Sequence, residues 1–169
     1  MSAERVTYYW CVPSPDDEAR FQAVIDELAK AQDAPRFMPH MSLASVHGSA
    51  PDLASVLNGL RGLQLRPIEI DETDDFTMSL FLRVEPSPAL IRARQAFEGI
   101  AGFRSSRSFD PHLSLCYGPP PGGAANLENV RALLKKTIKF DRLVTVDIPA
   151  RVSTYDDIRA WDILKTIPF

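Results

Sequence analysis

Phe37-Met38-Pro39-His40-Met41-Ser42-Leu43 returns 72 positions later as Phe109-Asp110-Pro111-His112-Leu113-Ser114-Leu115, identical at five of the seven places. The chain has three histidines, and two of them occupy this repeated setting. Side chains alternate along a β-strand with a period of two. Each segment, read as a strand, therefore puts His and Ser on one face and turns Met41 or Leu113 towards a core. Pro39 suits the entry to such a strand, because proline cannot donate to the ladder further in. One histidine in an apolar strand is ordinarily a hydrogen-bonded core residue. Two, each with a same-face serine and the same flanks, are expected to meet across a groove and offer two imidazoles and two hydroxyls to one ligand.

Working outward from the motifs, Val6 to Val12 reads as a first strand, closed by Pro13. Asp16 and Asp17 open a helix with Phe21, Val24, Ile25 and Leu28 inward. Pro51 and Asp52 open a second, striped by Leu53, Val56, Leu57 and Leu60, and Gln64 to Ile70 reads as a strand. The acidic run Asp71-Glu72-Thr73-Asp74-Asp75 is expected to be a solvated turn, followed by one alternating strand from Phe76 to Val84. Ser87 caps a third helix carrying Leu90, Ile91, Ala93, Arg94 and Phe97. The second motif strand ends at Tyr117-Gly118. A fourth helix over Leu127 to Lys135 and closing strands near 143–153 and 158–167 complete the chain.

Strand, helix, His strand, helix, strand thus occurs twice. This predicts an α+β fold over 1–169: a single bilobal domain of two pseudo-symmetric antiparallel sheets backed by helices, with a groove between them. The repeat halves are about 5–74 and 75–167, and the outer strands are free to exchange between lobes.

With 169 residues, 45% hydrophobic and 24% charged, the chain can bury about 70% of its unfolded surface as one domain. A net charge of −3 argues against stable binding to long nucleic acid, which depends on neutralising phosphates. Arg36 lies before the first motif, and Arg104 and Arg107 before the second. This basic rim fits a small anionic ligand. No apolar run reaches the roughly 18 residues of a membrane span, and the N-terminus lacks a signal pattern, so a cytoplasmic location, or a nuclear one by passive entry, is expected. Cys11 and Cys116 are expected to be free thiols. No H-E-x-x-H, P-loop or G-x-G-x-x-G is present.

His40-Met41-Ser42 and His112-Leu113-Ser114-Leu115-Cys116-Tyr117-Gly118 resemble the paired His-x-Ser/Thr motifs of the two-histidine (2H) phosphoesterases. Trp10-Cys11-Val12-Pro13, the Tyr-Gly after the second motif, and Tyr155 with Trp161 make the plant and fungal cyclic phosphodiesterases the most similar branch. The resemblance implies a bilobal fold that needs no metal and no cofactor. It implies hydrolysis of 2′,3′-cyclic nucleotides or ADP-ribose 1″,2″-cyclic phosphate, with the 2′-phosphate favoured as product. A monomer is the expected working unit. Relatives act on 2′,3′-cyclic or 2′-5′ linked RNA ends, which is the closest competing reading. A nucleotide-binding module without catalysis is another. Both motifs here carry Ser where many relatives have Thr in at least one, and the hydroxyl survives that change.

Opening a cyclic phosphate requires water to lose a proton while the leaving ribose oxygen gains one. Two imidazoles can do both near neutral pH, since an unperturbed histidine titrates near 6.5. His40 is read as acid and His112 as base, the two roles being interchangeable from sequence. Ser42 and Ser114 are the candidate donors to the phosphate oxygens. Tyr117, Thr77, Ser79, Phe81 and Trp10 are candidate substrate contacts, with Phe81 and Trp10 able to stack on a base. Strict alternation turns Tyr117 away from His112 unless the Gly118 turn redirects it. His47 is expected to be solvated.

Overall fold

The computed structural model describes residues 4–48, 52–104 and 108–169. In chain order it holds β1 (Arg5–Pro13), α1 (Pro15–Gln32), β2 (Met41–Val46), α2 (Ala54–Leu60), β3 (Gln64–Leu65), β4 (Pro67–Glu72) and β5 (Leu80–Val84). Then come α3 (Pro88–Glu98), β6 (His112–Cys116), α4 (Glu128–Ala132), β7 (Ile138–Pro149), α5 (Tyr155–Arg159) and β8 (Asp162–Pro168). The fold is the α+β class that the strand and helix periodicities predict. The strands run antiparallel in the order β3-β7-β1-β2-β6-β5-β4, with β8 also paired to β7.

The two expected sheets are therefore joined edge to edge rather than separate. Among the described residues the seam is the single register pair Met41↔Leu113, between the two motif strands. Those two side chains, each between a motif's His and Ser, are fully buried. The pairing puts both motifs at the centre of the molecule. The halves also exchange strands: β4 pairs with β5, whereas β7 and β8 extend the sheet beyond β1.

Helices cover the core face. Phe21, Val24, Ile25 and Leu28 of α1 are buried, as are Leu90, Ala93 and Phe97 of α3. The Ser87 hydroxyl accepts the Leu90 N–H at 3.2 Å, the cap expected for α3. Cys11 and Cys116 are buried free thiols. No helix among the described residues is long and apolar enough to cross a membrane.

Several elements differ from the periodicity. Phe76 to Met78 winds into a 3-10 turn, and the strand starts only at Leu80. The Asp75 carboxylate accepts both the Thr77 N–H (3.0 Å) and the Thr77 hydroxyl (2.9 Å), a local partner that competes with the ladder. The expected strand from Gln64 to Ile70 breaks at Arg66, because β3 pairs with β7 and β4 with β5. Ile158, expected in the last strand, lies in α5 instead. There Thr154 and Asp157 form a capping box that fixes a helix start. Asp71 and Glu72 belong to β4 rather than to a turn. The Pro51 start expected for the second helix lies outside the described residues, and α2 begins at Ala54.

Candidate active site

His40 stands immediately before β2 and His112 opens β6. In each ring Nδ1 lies 2.7 Å from the carbonyl oxygen two residues upstream, that of Met38 for His40 and that of Asp110 for His112. A carbonyl only accepts, so Nδ1 is the protonated nitrogen in both rings and Nε2 is the one that can exchange a proton. The proline between acceptor and histidine holds φ near −65°. The repeated Pro-His pair thus gives the same hydrogen bond twice.

The two surroundings differ. His40 is 5% exposed and lies flat on the Trp10 indole, with ring centroids 3.6 Å apart and planes 15° apart. Trp161 meets it edge-on at 5.8 Å, and the Tyr117 hydroxyl stands 3.5 Å from its Nε2. Burial depresses the His40 pKa from 6.5 to about 4. The Met38 carbonyl opposes the shift and the charge of His112 adds to it. His40 is therefore neutral at pH 7, with Nε2 able to accept a proton. His112 is half-buried, its ring 5.1 Å from that of Phe81.

Both histidines line one cleft of about 390 Å³. Ser42, Ser114, Thr77, Tyr117 and Trp10 line it too, as the sequence reading expects. Tyr117 gets there because β6 stops at Cys116 and the chain turns through Gly118 at φ +75°. Its ring packs edge-on against Phe37 at 4.6 Å.

Two candidates do not reach the cleft. Ser79 is 1% exposed and donates its hydroxyl to the Cys116 carbonyl at 2.9 Å. Phe81 is fully buried between the His112 ring and the Arg83 guanidinium, which lies 5.1 Å from its ring centre. The late start of β5 and a register shift between Leu80 and Phe81 undo the alternation that assigned them. Trp10 presents a face to His40, which occupies the place expected for a base. Of the basic rim, Arg104 lines the cleft, Arg36 pairs with Asp26, and Arg107 lies outside the described residues. His47 is exposed, 3.3 Å from Glu4.

Tyr8, Met78, Ile148, Ala150 and Val152 complete the lining together with Trp161. Trp161 is among the residues that carry the resemblance; no motif marks the other five. Tyr8 stands two residues before Trp10 on β1, so strand alternation alone carries a signal for it. The stretch through Ile148, Ala150 and Val152 has the same spacing of two.

The family model of the 2′-5′ RNA ligase superfamily matches residues 13–148, both His-x-Ser segments included. The chain belongs to this superfamily, the two-histidine phosphoesterases. Over 113 residues it is 25% identical to a cyclic phosphodiesterase of Arabidopsis thaliana, covering 64% of this chain and 62% of that protein. It thus spans somewhat less than two thirds of that relative. The fold of this superfamily member is also similar to E. coli LigT. The structure of LigT complexed with NADP+ has a TM-score of 0.54 at 16% identity, and that with 3′-AMP 0.52 at 16%; each comparison covers 99% of this chain and 98% of the other.

Proposed function

We propose that this protein is a metal-independent phosphodiesterase that opens 2′,3′-cyclic nucleotides or ADP-ribose 1″,2″-cyclic phosphate to the monoester, the 2′-phosphate in the nucleotide case. The observation that carries this reading is the matched pair of histidines, each fixed through Nδ1 on a backbone carbonyl and each lining the same cleft. The likeness to a cyclic phosphodiesterase supports the reaction class.

The depressed pKa of His40 favours the reverse assignment, His40 as base and His112 as acid. Neutral His40 takes a proton from the attacking water through Nε2. The water oxygen bonds to phosphorus as the ribose oxygen leaves, and protonated His112 delivers its Nε2 proton to that oxygen. His40 ends protonated and His112 neutral, and exchange with solvent restores both. General acid–base help of this kind contributes about 10²–10⁴-fold. Ser42 and Ser114 donate to the non-bridging phosphate oxygens as charge gathers there.

The reading is tested by phosphorus NMR on a panel of adenosine 2′,3′-cyclic phosphate, ADP-ribose 1″,2″-cyclic phosphate and a short RNA ending in a cyclic phosphate, with and without a chelator. The expected result is conversion of at least one of the first two to a single monoester at a rate the chelator leaves unchanged. No conversion of any substrate, or a chelator loss restored by a divalent cation, would overturn it.

A further inference from the structure

Among the described residues that line the cleft there is no aspartate or glutamate, and one side chain carries a permanent charge: Arg104. It is half-buried. Arg5, Arg36, Arg83 and Arg142 each hold a carboxylate. Arg104 instead donates Nη2 to the Ala150 carbonyl at 3.3 Å and pairs with no carboxylate among the described residues. A guanidinium has five donors. Removing one from water without a counter-charge is unfavourable unless an anion completes the site.

Its place in the fold is fixed from both ends. The Arg104 N–H bonds the Ser45 carbonyl of β2 at 2.9 Å, while its side chain reaches Ala150, just beyond β7. β1 lies between β2 and β7 in the sheet, so the side chain crosses over β1, whose Tyr8 lines the same cleft. Ser45 is three residues along β2 from Ser42, a rise of about 10 Å. The backbone that carries the cation is therefore anchored about 10 Å along β2 from the serine proposed to hold the reacting phosphate, and both side chains line the one cleft.

We infer that Arg104 binds a second phosphate of the substrate. The preferred substrates then pair a cyclic phosphate with a further phosphate on the same or an adjoining ribose. This rests on the proposed cyclic phosphodiesterase activity and narrows its substrate class. The planar fork of Arg104 meets two oxygens of the second group, leaving the reacting phosphate to the histidines and serines.

The test compares kcat/KM of the wild type, Arg104→Ala and Arg104→Lys on three substrates. These are adenosine 2′,3′-cyclic phosphate, its 5′-phosphorylated form, and ADP-ribose 1″,2″-cyclic phosphate. Arg104→Ala is expected to lose about 10–100-fold more on the two substrates with a further phosphate than on adenosine 2′,3′-cyclic phosphate, mainly through KM. Lysine should restore part of the loss, and the substrate most affected identifies a monoester or a pyrophosphate as the second group. Equal loss on all three, or none, overturns the inference while leaving the reaction standing. Calorimetry separates the two further, because it needs no turnover. Wild type should bind adenosine 2′,5′-bisphosphate more tightly than adenosine 2′-monophosphate, and Arg104→Ala should abolish that preference. If the preference persists in the variant, Arg104 is not the second-phosphate site.

Discussion

Arg83 forks onto Asp110, with Nε and Nη2 each 2.9 Å from a carboxylate oxygen. Asp110 is the residue whose own carbonyl holds Nδ1 of His112. Arg83 lies directly across the β5–β6 ladder from His112. Its guanidinium also covers the Phe81 ring that packs on the imidazole. The cation thus braces His112 through a carboxylate on one side and an aromatic ring on the other, and it gathers Glu69 and Asp71 as well. His40 is held differently, by stacking on Trp10.

Replacing Arg83 by alanine should therefore lower kcat about 10-fold or more by loosening His112, since small misplacements of a catalytic group are costly. The three carboxylates are partly exposed, so solvent screens much of the ion pairing. A stability loss of about 1–2 kcal/mol is expected, a fall in Tm of roughly 2–8 °C. Arg83→Lys should recover less than half of the activity because it lacks the fork. Stopped assays with thermal melts on both variants check this, and wild-type kcat in Arg83→Ala would remove the brace.

Burial of His40 sets a sign for acid stability. Its pKa is about 6.5 unfolded and about 4 folded, so between those values the unfolded chain binds more protons. Stability from this group is fully present above pH 6.5 and is lost as pH falls towards 4. The total is on the order of 3 kcal/mol at 1.36 kcal/mol per unit. Denaturant midpoints at pH 7 and pH 4.5 should differ less in His40→Gln than in wild type. The acid limb of kcat/KM should lie nearer pH 4 than 6.5, and a limb at 6.5 would show that the buried ring is not the base.

Gly118 has φ +75°, and a Cβ there would stand 2.7 Å from the Tyr155 hydroxyl. Gly118→Ala should cost about 1–3 kcal/mol from backbone strain alone. It should also reduce activity, because this turn delivers Tyr117 to the cleft. Tm and kcat/KM measured together check both effects.

The class of the fold and the centre of the site were legible in the chain because the His-x-Ser repeat is local and strand alternation acts within it. The buried faces of α1 and α3 followed from the 3.6-residue period for the same reason. What the sequence concealed was long-range. Pairing of Met41 with Leu113 joins the lobes, and the exchange of β4 for β7 and β8 follows from ladder partners that no local pattern encodes. Phe81 and Ser79 depart from the alternation because Asp75 diverts three residues into a turn and shifts the phase of the strand. The cleft residues from Ile148 to Val152 carry no distinguishing signal, because their apolar spacing is that of any half-buried strand.

Ser42→Ala and Ser114→Ala should each reduce kcat by about 10²–10³-fold, the usual effect of removing a preorganised donor from developing charge, with smaller changes in KM. Threonine keeps the hydroxyl and should retain most of the rate at either position. Steady-state kinetics on the four variants checks this. Alanine variants with unaltered kcat would assign the serines to packing.

The most direct measurement is single-turnover hydrolysis of adenosine 2′,3′-cyclic phosphate by His40→Ala, His112→Ala and the double variant, each shown folded by circular dichroism. Each single change is expected to cost about 10²–10⁴-fold, and the double little more than the worse single, because the two rings act as a unit. A folded single variant that keeps most of the wild-type rate would contradict paired catalysis by His40 and His112.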